Sequence, residues 1–272
     1  IGSDAASDSE TTSGTFSYSA ADTPVDIVIG GVTVVENGVL TANTTVTTTI
    51  GVLTVGSFDA AAGTLDWSYT LSGPITDVDG AVETDSIAVS VSDEDGDSDS
   101  GFININIVDD VPTAAADTDS LAAADFGPAT GNVITNDTQG ADQNVTVIGV
   151  AAGNTGVALD EAATVATAIG GTYGTLSIDA NGDYSYTRNP GTPGGVEDVF
   201  TYTIEDGDGD TSFTTVTVTL GDGDVTLDLP VQAGEGTASV DEAGLDGIGS
   251  DAASDSETTS GTFSYSAADT PV

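Results

Sequence analysis

An acidic turn occurs twice in the chain, each time between two stretches in which apolar and polar residues alternate. This repeated pattern strongly restricts the possible folds. The first copy spans residues 85–108 and the second spans residues 198–221, and the two align without a gap at an offset of 113 residues. Apolar residues alternate with Ser, Thr and Asn on both sides of each turn, a pattern typical of antiparallel strands with one buried face. The duplication therefore predicts two β-sandwich domains of similar size.

Five aspartates keep their places under this offset, although strand alternation does not require acids there. The matched pairs are Asp85/Asp198, Asp93/Asp206, Asp95/Asp208, Asp97/Asp210 and Asp109/Asp222. Closely spaced carboxylates repel one another unless a cation lies between them. Calcium takes six to eight oxygen ligands with flexible geometry, and the lack of His and Cys disfavours transition metals. We expect a calcium site at each turn; the alternative is an ordinary solvated acidic loop, and Asp117 and Asp119 could complete a site.

The charge balance excludes several classes of function. The chain has 45 acidic residues, one basic residue and a formal net charge of −44, which would repel nucleic acids and anionic membrane surfaces. Neither a Ser-His-Asp nor a Cys-His catalytic arrangement can form, because His and Cys are absent. No apolar run is long enough to span a bilayer. We therefore expect no enzyme, no nucleic-acid partner and no membrane insertion.

Strand-forming segments and turns recur at short intervals through both halves. A hairpin over residues 173–187 contains Asn181-Gly182, a strong signal for a type I′ turn. About seven short strands per domain of roughly 110 residues indicate an all-β chain of immunoglobulin-like sandwiches. Aromatic residues at alternate positions predict part of the core face in each domain, and they are Trp67 and Tyr69 in the first and Tyr184 and Tyr186 in the second.

The first 25 residues recur letter for letter as residues 248–272, at an offset of 247. Such identity indicates tandem duplication, so the chain is expected to be one unit of a longer array plus the opening of the next. The predicted boundaries are 1–111 for a sandwich that lacks its opening strand, 112–222 for a second sandwich, and 223–272 for the opening segment of the next unit.

Several of these stretches resemble a known family. Residues 92–114 resemble repeats of giant calcium-dependent (RTX-type) adhesins that Gram-negative bacteria export by type I secretion. The hairpin of residues 173–187, with residues 198–210, is similar to the bacterial cadherin-like repeats found with them. Residues 239–245 resemble the opening of such a repeat. The resemblance implies tandem immunoglobulin-like domains, of which 112–222 is the cadherin-like one, in a secreted protein at the cell surface.

The resemblance also implies calcium ligands at the domain junctions. It places them on Asp93, Asp95, Asp97, Asp109, Asp110, Asp206, Asp208, Asp210 and Asp222. We expect an ion shared between the turn 93–97 and the linker acids Asp109 and Asp110 to stiffen the first junction. The second junction departs from the pattern, since Gly223 stands where the first has Asp110 and no proline follows. Its site would be weaker, or would use Asp224.

The function implied is that of a structural extender repeat, which holds a binding domain away from the cell for attachment or biofilm formation. The alternative is a subunit of a self-assembling extracellular filament or matrix built by strand donation; a glycan-binding module is a third. The expected partners are neighbouring repeats of the same protein and other copies of the chain, through the tail 223–272. The tail is predicted to complete the first domain of another chain, with folding back on its own chain as the alternative.

Overall fold

Alternating apolar residues build two β-sandwiches that follow one another along the chain. The computed structural model describes residues 3, 6, 10–76, 83–228, 240, 242–246, 248–251, 253 and 264–266. Within these ranges the regular structure consists of strands and two short 3-10 helices, Ala162–Thr164 and Glu242–Gly244. The all-β class expected from the sequence is confirmed. No helix in the described ranges has the length and apolar character needed to cross a membrane.

The first sandwich has nine strands in two sheets that share one apolar core. Its strands are β1 (Thr11–Ser17), β2 (Asp26–Ile29), β3 (Val32–Glu36), β4 (Val39–Leu40), β5 (Thr45–Thr47), β6 (Gly51–Asp59), β7 (Thr64–Leu71), β8 (Glu83–Ser92) and β9 (Ser98–Ile107). One sheet has the order β1-β7-β6-β5 and the other has the order β4-β3-β2-β8-β9. All pairings between these strands are antiparallel.

The second sandwich has eight strands, again in two sheets over one core. Its strands are β10 (Asp117–Leu121), β11 (Ala129–Asn132), β12 (Thr146–Ala152), β13 (Ile169–Gly170), β14 (Gly174–Ile178), β15 (Asp183–Arg188), β16 (Val196–Glu205) and β17 (Thr211–Leu220). The sheet orders are β10-β17-β16-β12 and β11-β15-β14-β13. β10 runs parallel to β17, whereas the other pairings are antiparallel.

The pairings show which elements of the two sandwiches correspond. β1 pairs with β7 as β11 pairs with β15, and β2 pairs with β8 as β12 pairs with β16. The long hairpin β8–β9 corresponds to β16–β17, with an acidic turn at the tip of each. Among the described strands of the first sandwich, none corresponds to β10. β9 therefore ends its sheet, whereas β17 has a neighbour on both sides.

The aromatic residues predicted for the core lie there. Tyr69, Tyr184 and Tyr186 are buried, and Trp67 packs against the first core. Each of these tyrosines also bridges the two sheets of its sandwich through its hydroxyl. Tyr69 donates a hydrogen bond to Asp85 at 2.7 Å, Tyr186 donates to Asp198 at 2.9 Å, and Tyr184 donates to Asp119 at 2.8 Å. The matched aspartates at the start of the acidic hairpins are thus part of the fold.

The turn at Asn181-Gly182 differs from the prediction. A type I′ turn needs positive φ at both central residues, but only Gly182 has it, at 87°. The Gly182 amide donates to the Asp179 carbonyl, and the Asp179 amide donates to the Asp183 carbonyl. These bonds define a longer turn over residues 179–182 that ends on a left-handed glycine, so the type I′ prediction is wrong although the hairpin exists.

The opening segment 223–272 is described only in part. Ser239 and Asp241, within the stretch that resembles a repeat opening, lie outside the described residues. β18 (Thr226–Asp228) pairs antiparallel with β19 (Ser264–Ser266), and Leu227 stands opposite Tyr265. In the single chain the tail strand thus finds a partner within the tail, while donation to a second chain stays a prediction.

Candidate metal centre

The two acidic turns are closed by the same pair of hydrogen bonds. In each, the amide of the first aspartate donates to the carbonyl of the fifth residue at 3.0 Å, from Asp93 to Asp97 and from Asp206 to Asp210. In return, the amide of the fifth residue donates to the carboxylate of the first at 2.9 Å. The glycine before the last aspartate has positive φ, 99° in the first turn and 116° in the second, which favours glycine there.

Five carboxylates meet where the linker enters the second sandwich. Asp109 comes from the linker after β9, Asp142 precedes β12, and Asp206, Asp208 and Asp210 come from the turn between β16 and β17; we call these five residues the junction cluster. Their oxygens form two groups that share Asp208, and within each group the oxygens lie within 4.8 Å of one another. The spacing is suitable for ligands of one or two cations.

Most of the junction cluster is withdrawn from water without hydrogen bonds to replace it. Four Oδ2 oxygens are buried and accept no hydrogen bond within the described part of the chain, and they belong to Asp109, Asp142, Asp206 and Asp210. The only basic residue, Arg188, is buried next to Phe126, 5.7 Å from its ring centre, and bonds to Thr192. Buried carboxylate oxygens without partners are costly. The donor set therefore fits a hard cation bound by oxygens.

The electrostatics of the junction cluster agree with this fit. Burial, and then the hydrogen bond that the protonated carboxyl group would make with Asp208, raises the pKa of Asp206 to about 6. The hydrogen bond that a protonated Asp210 would make with Asp109, followed by burial and the neighbouring charges, raises the pKa of Asp210 to about 7. Burial also raises the pKa of Asp142, with a contribution from the charge of Asp208. Without a cation, protons would neutralise part of the cluster near neutral pH, and a metal would compete with them.

The turn of the first sandwich forms a smaller and more open group. Asp22, Asp93 and Asp95 have carboxylate oxygens within 4.8 Å of one another, and Asp22 and Asp95 are exposed. The hydrogen bond with Asp95 is the largest cause of a raised pKa at Asp93. Asp97 is exposed and does not belong to the three-carboxylate group. This group resembles the Asp142, Asp206 and Asp208 group of the junction cluster, and the described residues contain no counterpart of the Asp109, Asp208 and Asp210 group here.

Sequence reasoning missed two of these acids, Asp22 and Asp142. Each lies four residues before the strand that pairs with the long hairpin, since β2 begins at Asp26 and β12 begins at Thr146. Asp26 pairs with Ser92 and Thr146 pairs with Glu205, which makes the two positions equivalent. The offset is 120 residues here instead of 113, so the alignment at a fixed offset did not match them. A gapped alignment of the two halves would have found them.

The expected grouping of the linker with the turn 93–97 is wrong. Asp109 meets the turn of the second sandwich, because the ten residues of β9 separate it from residues 93–97 by about 33 Å of extended chain. The carboxylate of Asp110 accepts hydrogen bonds from the amide (2.6 Å) and the hydroxyl of Ser3 and is in neither group. Asp222 is exposed beyond the end of β17 and lies outside the described acidic groups.

Other matched or neighbouring acids serve the fold. Asp198 is 2% exposed and accepts hydrogen bonds from the Thr172 and Tyr173 amides as well as from Tyr186. The carboxylates of Asp117 and Asp119 do not complete a described metal group; they accept hydrogen bonds from the hydroxyls of Tyr202 and Tyr184, respectively.

Comparison with known sequences singles out the second sandwich. Residues 109–219 match the Bacterial Ig domain family. The match begins at Asp109 of the junction cluster and ends in the last residues of β17. Together with the two-sheet architecture, it supports immunoglobulin-like repeats in tandem. No curated protein matches the chain in sequence.

Solved structures that the chain is similar to include cadherin-type domain arrays. Drosophila N-cadherin EC1-4 is 13% identical over 74% of this chain and 42% of its own, with a TM-score of 0.29. Mouse clustered PcdhgC3 EC1-3 is 14% identical over 65% of this chain and 55% of its own, also with a TM-score of 0.29. PcdhgB3 EC1-4 is 12% identical over 82% of this chain and 50% of its own, with a TM-score of 0.27. The chain spans about half the length of these arrays.

Proposed function

We propose that the chain is a structural extender repeat of a large secreted bacterial surface adhesin, and that calcium at the domain junction stiffens it. The role is mechanical, without catalysis: such a repeat would hold a distal binding domain away from the cell for attachment or biofilm formation. The observation that carries the proposal is the junction cluster, in which a linker carboxylate joins four carboxylates of the following domain.

The chemistry of the junction cluster favours calcium over other cations. All five candidate side chains offer oxygen, and calcium accepts six to eight oxygens from carboxylates, carbonyls and water in flexible geometry. A Cβ atom added at Gly207 would lie 2.7 Å from the Asp142 carbonyl oxygen, so glycine permits a close approach of backbone within the cluster. Magnesium prefers a stricter octahedron and retains water, which suits an adaptable set of carboxylates less well.

The position of Asp109 connects metal binding to mechanics. Asp109 follows the last strand of the first sandwich, whereas the other four acids belong to the second. The linker already contacts that sandwich, since the Ala141 amide donates to the Asp110 carbonyl at 3.4 Å. A cation bound by Asp109 and Asp208 together would fix the linker against the second domain. Without it, repulsion between the carboxylates would favour separation.

Calorimetric titration of the metal-free full chain with calcium tests the proposal. We expect heat of binding in the native chain and a loss of at least one site, or a tenfold weaker affinity, in the double variant Asp206→Asn with Asp208→Asn. The matched control is Asp160→Asn with Glu161→Gln, which removes two exposed charges from the same domain outside the cluster. Equal titrations of native chain and cluster variant, or equal losses in cluster and control variants, would refute the site.

A further inference from the structure

The outer edge of β9 differs from the same edge in the second sandwich. In the second sandwich, β10 pairs with the C-terminal half of β17, from Asp117 opposite Val216 to Leu121 opposite Leu220. In the first sandwich, no strand among the described residues pairs with the outer edge of β9. A row of backbone amides and carbonyls is therefore available for pairing with another strand.

A cleft of about 750 Å³ lies beside this edge, between the N-terminal half of β9 and the chain that follows β1. Its apolar lining comes from both sheets and includes Phe16, Tyr18, Ala20, Val89, Val91 and Ile103. Phe102 at its border is 67% exposed, which is unusual for an aromatic side chain of a sandwich. The cleft thus combines unpaired backbone with an apolar wall, which are the two features that an added β-strand requires.

The corresponding place in the second sandwich is filled by the chain just after the linker. Thr113 bridges to Thr138, the Ala114 amide donates to the Ser212 hydroxyl at 3.0 Å, and Ala114 packs against the core. At the offset of 113 residues, the counterpart of Thr113–Ala115 in the tail is β18, with Leu227 at the place of Ala114. β18 is therefore a candidate to fill the corresponding place in the first sandwich.

The tail shows directly what β18 pairs with. Residues 264–266 are the second copy of residues 17–19, because the sequence repeats at an offset of 247. β18 pairs with this copy, and Leu227 stands opposite Tyr265, the copy of Tyr18. Tyr18 itself lines the cleft. The partner that β18 has in the tail therefore exists a second time, in a position where the edge of β9 is also open.

We propose that the cleft of the first sandwich accepts residues 225–228 from a second copy of this chain. The inserted strand runs antiparallel to residues 17–19, with Leu227 opposite Tyr18, and parallel to β9, as β10 runs parallel to β17. Exchanging residues 264–266 for the identical residues 17–19 costs little, and the edge of β9 adds further backbone pairs. Donor and acceptor surfaces differ, so the contact is head-to-tail and can propagate. The inference does not depend on the junction cluster.

Disulfide trapping between full-length chains tests the register, since the native chain has no cysteine. The register places Thr226 of one chain opposite Ser19 of the other, so a Thr226→Cys chain is mixed with a Ser19→Cys chain under mild oxidation. We expect the mixed dimer to form at least five times faster than with Val39→Cys. Val39 is 65% exposed on β4, which is the edge strand opposite β9 in the five-stranded sheet. Equal rates for the Ser19 and Val39 partners would overturn the proposal.

Sedimentation without any cysteine provides an independent measurement. We expect the mass of the native chain to rise with concentration, with calcium and with chelator alike, and Leu227→Asp to remain monomeric at the same concentrations. A native chain that stays monomeric throughout, or a variant that assembles equally well, would also overturn the proposal. Because these readouts need no metal, their failure would leave the calcium titration unaffected.

Discussion

At the scale of single residues, the buried carboxylates of this chain have two different hydrogen-bonding environments. Asp198 receives two amide hydrogen bonds and one tyrosine hydrogen bond, so its charge is compensated within the fold. Asp206 is 7% exposed, its Oδ1 receives two amide bonds, and its Oδ2 is buried without a partner within the described residues. The first pattern is that of a structural acid, and the second is the one expected of the proposed metal ligand.

Tyr186→Phe should destabilise the second sandwich by about 2 kcal/mol, because it removes a hydrogen bond to the buried charge of Asp198. Urea denaturation followed by tyrosine fluorescence measures the change. Tyr173→Phe is the matched control, since the Tyr173 hydroxyl has no hydrogen-bond partner among the described residues, and it should change stability by less than about 0.5 kcal/mol. Similar losses in both variants would contradict the structural role of Asp198.

Asp117→Asn should weaken the pH dependence of stability in metal-free protein. Burial is the main cause that raises the pKa of Asp117 to about 6, above the value near 4 of an unfolded chain. The folded state thus keeps a proton that the unfolded state has lost, so the stabilisation is present below pH 4 and is lost as pH rises through 6. The variant should lose less stability than the native chain between pH 4.5 and 7, by about 1 kcal/mol after allowance for solvent screening.

Urea denaturation at the two pH values measures this difference. Native chain and variant share the general repulsion among their other carboxylates, so comparing their slopes isolates Asp117. Identical slopes would show that Asp117 titrates normally.

At the scale of elements, the acidic turn has a fixed shape before any ligand is considered. Amides of the turn donate to the carboxylate of its first aspartate, and the long antiparallel strands β16 and β17 hold both ends. Ligand positions on a rigid hairpin are already oriented, which reduces the entropy lost on binding. The same argument holds for the turn between β8 and β9, although only three acids gather there.

Gly209→Ala should distort the second turn, because its φ of 116° is unfavourable for residues with a Cβ atom. We expect a loss of about 1–3 kcal/mol in stability and a weaker calcium affinity. Gly170→Ala is the matched control: no other atom lies within 4 Å of the added Cβ at either position, and the φ of Gly170 is not in the unfavourable range. Thermal melts and calcium titrations on both variants measure the effect. An unchanged calcium affinity in Gly209→Ala would show that the turn conformation is unimportant for binding.

At the scale of the whole molecule, a net charge of −44 opposes compactness, and cation binding relieves part of that repulsion. Binding to the folded state alone adds about 2.7 kcal/mol at a hundredfold excess of calcium over its Kd. Most of that stabilisation should fall on the second sandwich, which contributes four of the five acids of the junction cluster.

Calcium should make the particle longer and narrower in small-angle X-ray scattering by ordering the linker. Asp109→Asn should abolish this change, because Asp109 is the linker member of the junction cluster, whereas Asp110→Asn should preserve it, because the Asp110 carboxylate bonds to Ser3. The two variants differ by one position and remove the same charge. If both behave alike, the cluster is not what orients the domains.

The sequence by itself determined the all-β class, the two related halves and the hairpins. It also placed three of the five acids of the junction cluster in one turn. These features are local, because alternation and turn composition are read along a single strand pair. Only the tertiary structure decided that Asp142 joins this turn and that Asp109 meets the turn of the following domain. It also separated the structural acids Asp85 and Asp198 from the others, although all obey the same offset. The physical reason is that strand length and sheet pairing determine which ends of a sandwich meet, and neither is visible in the spacing of aspartates.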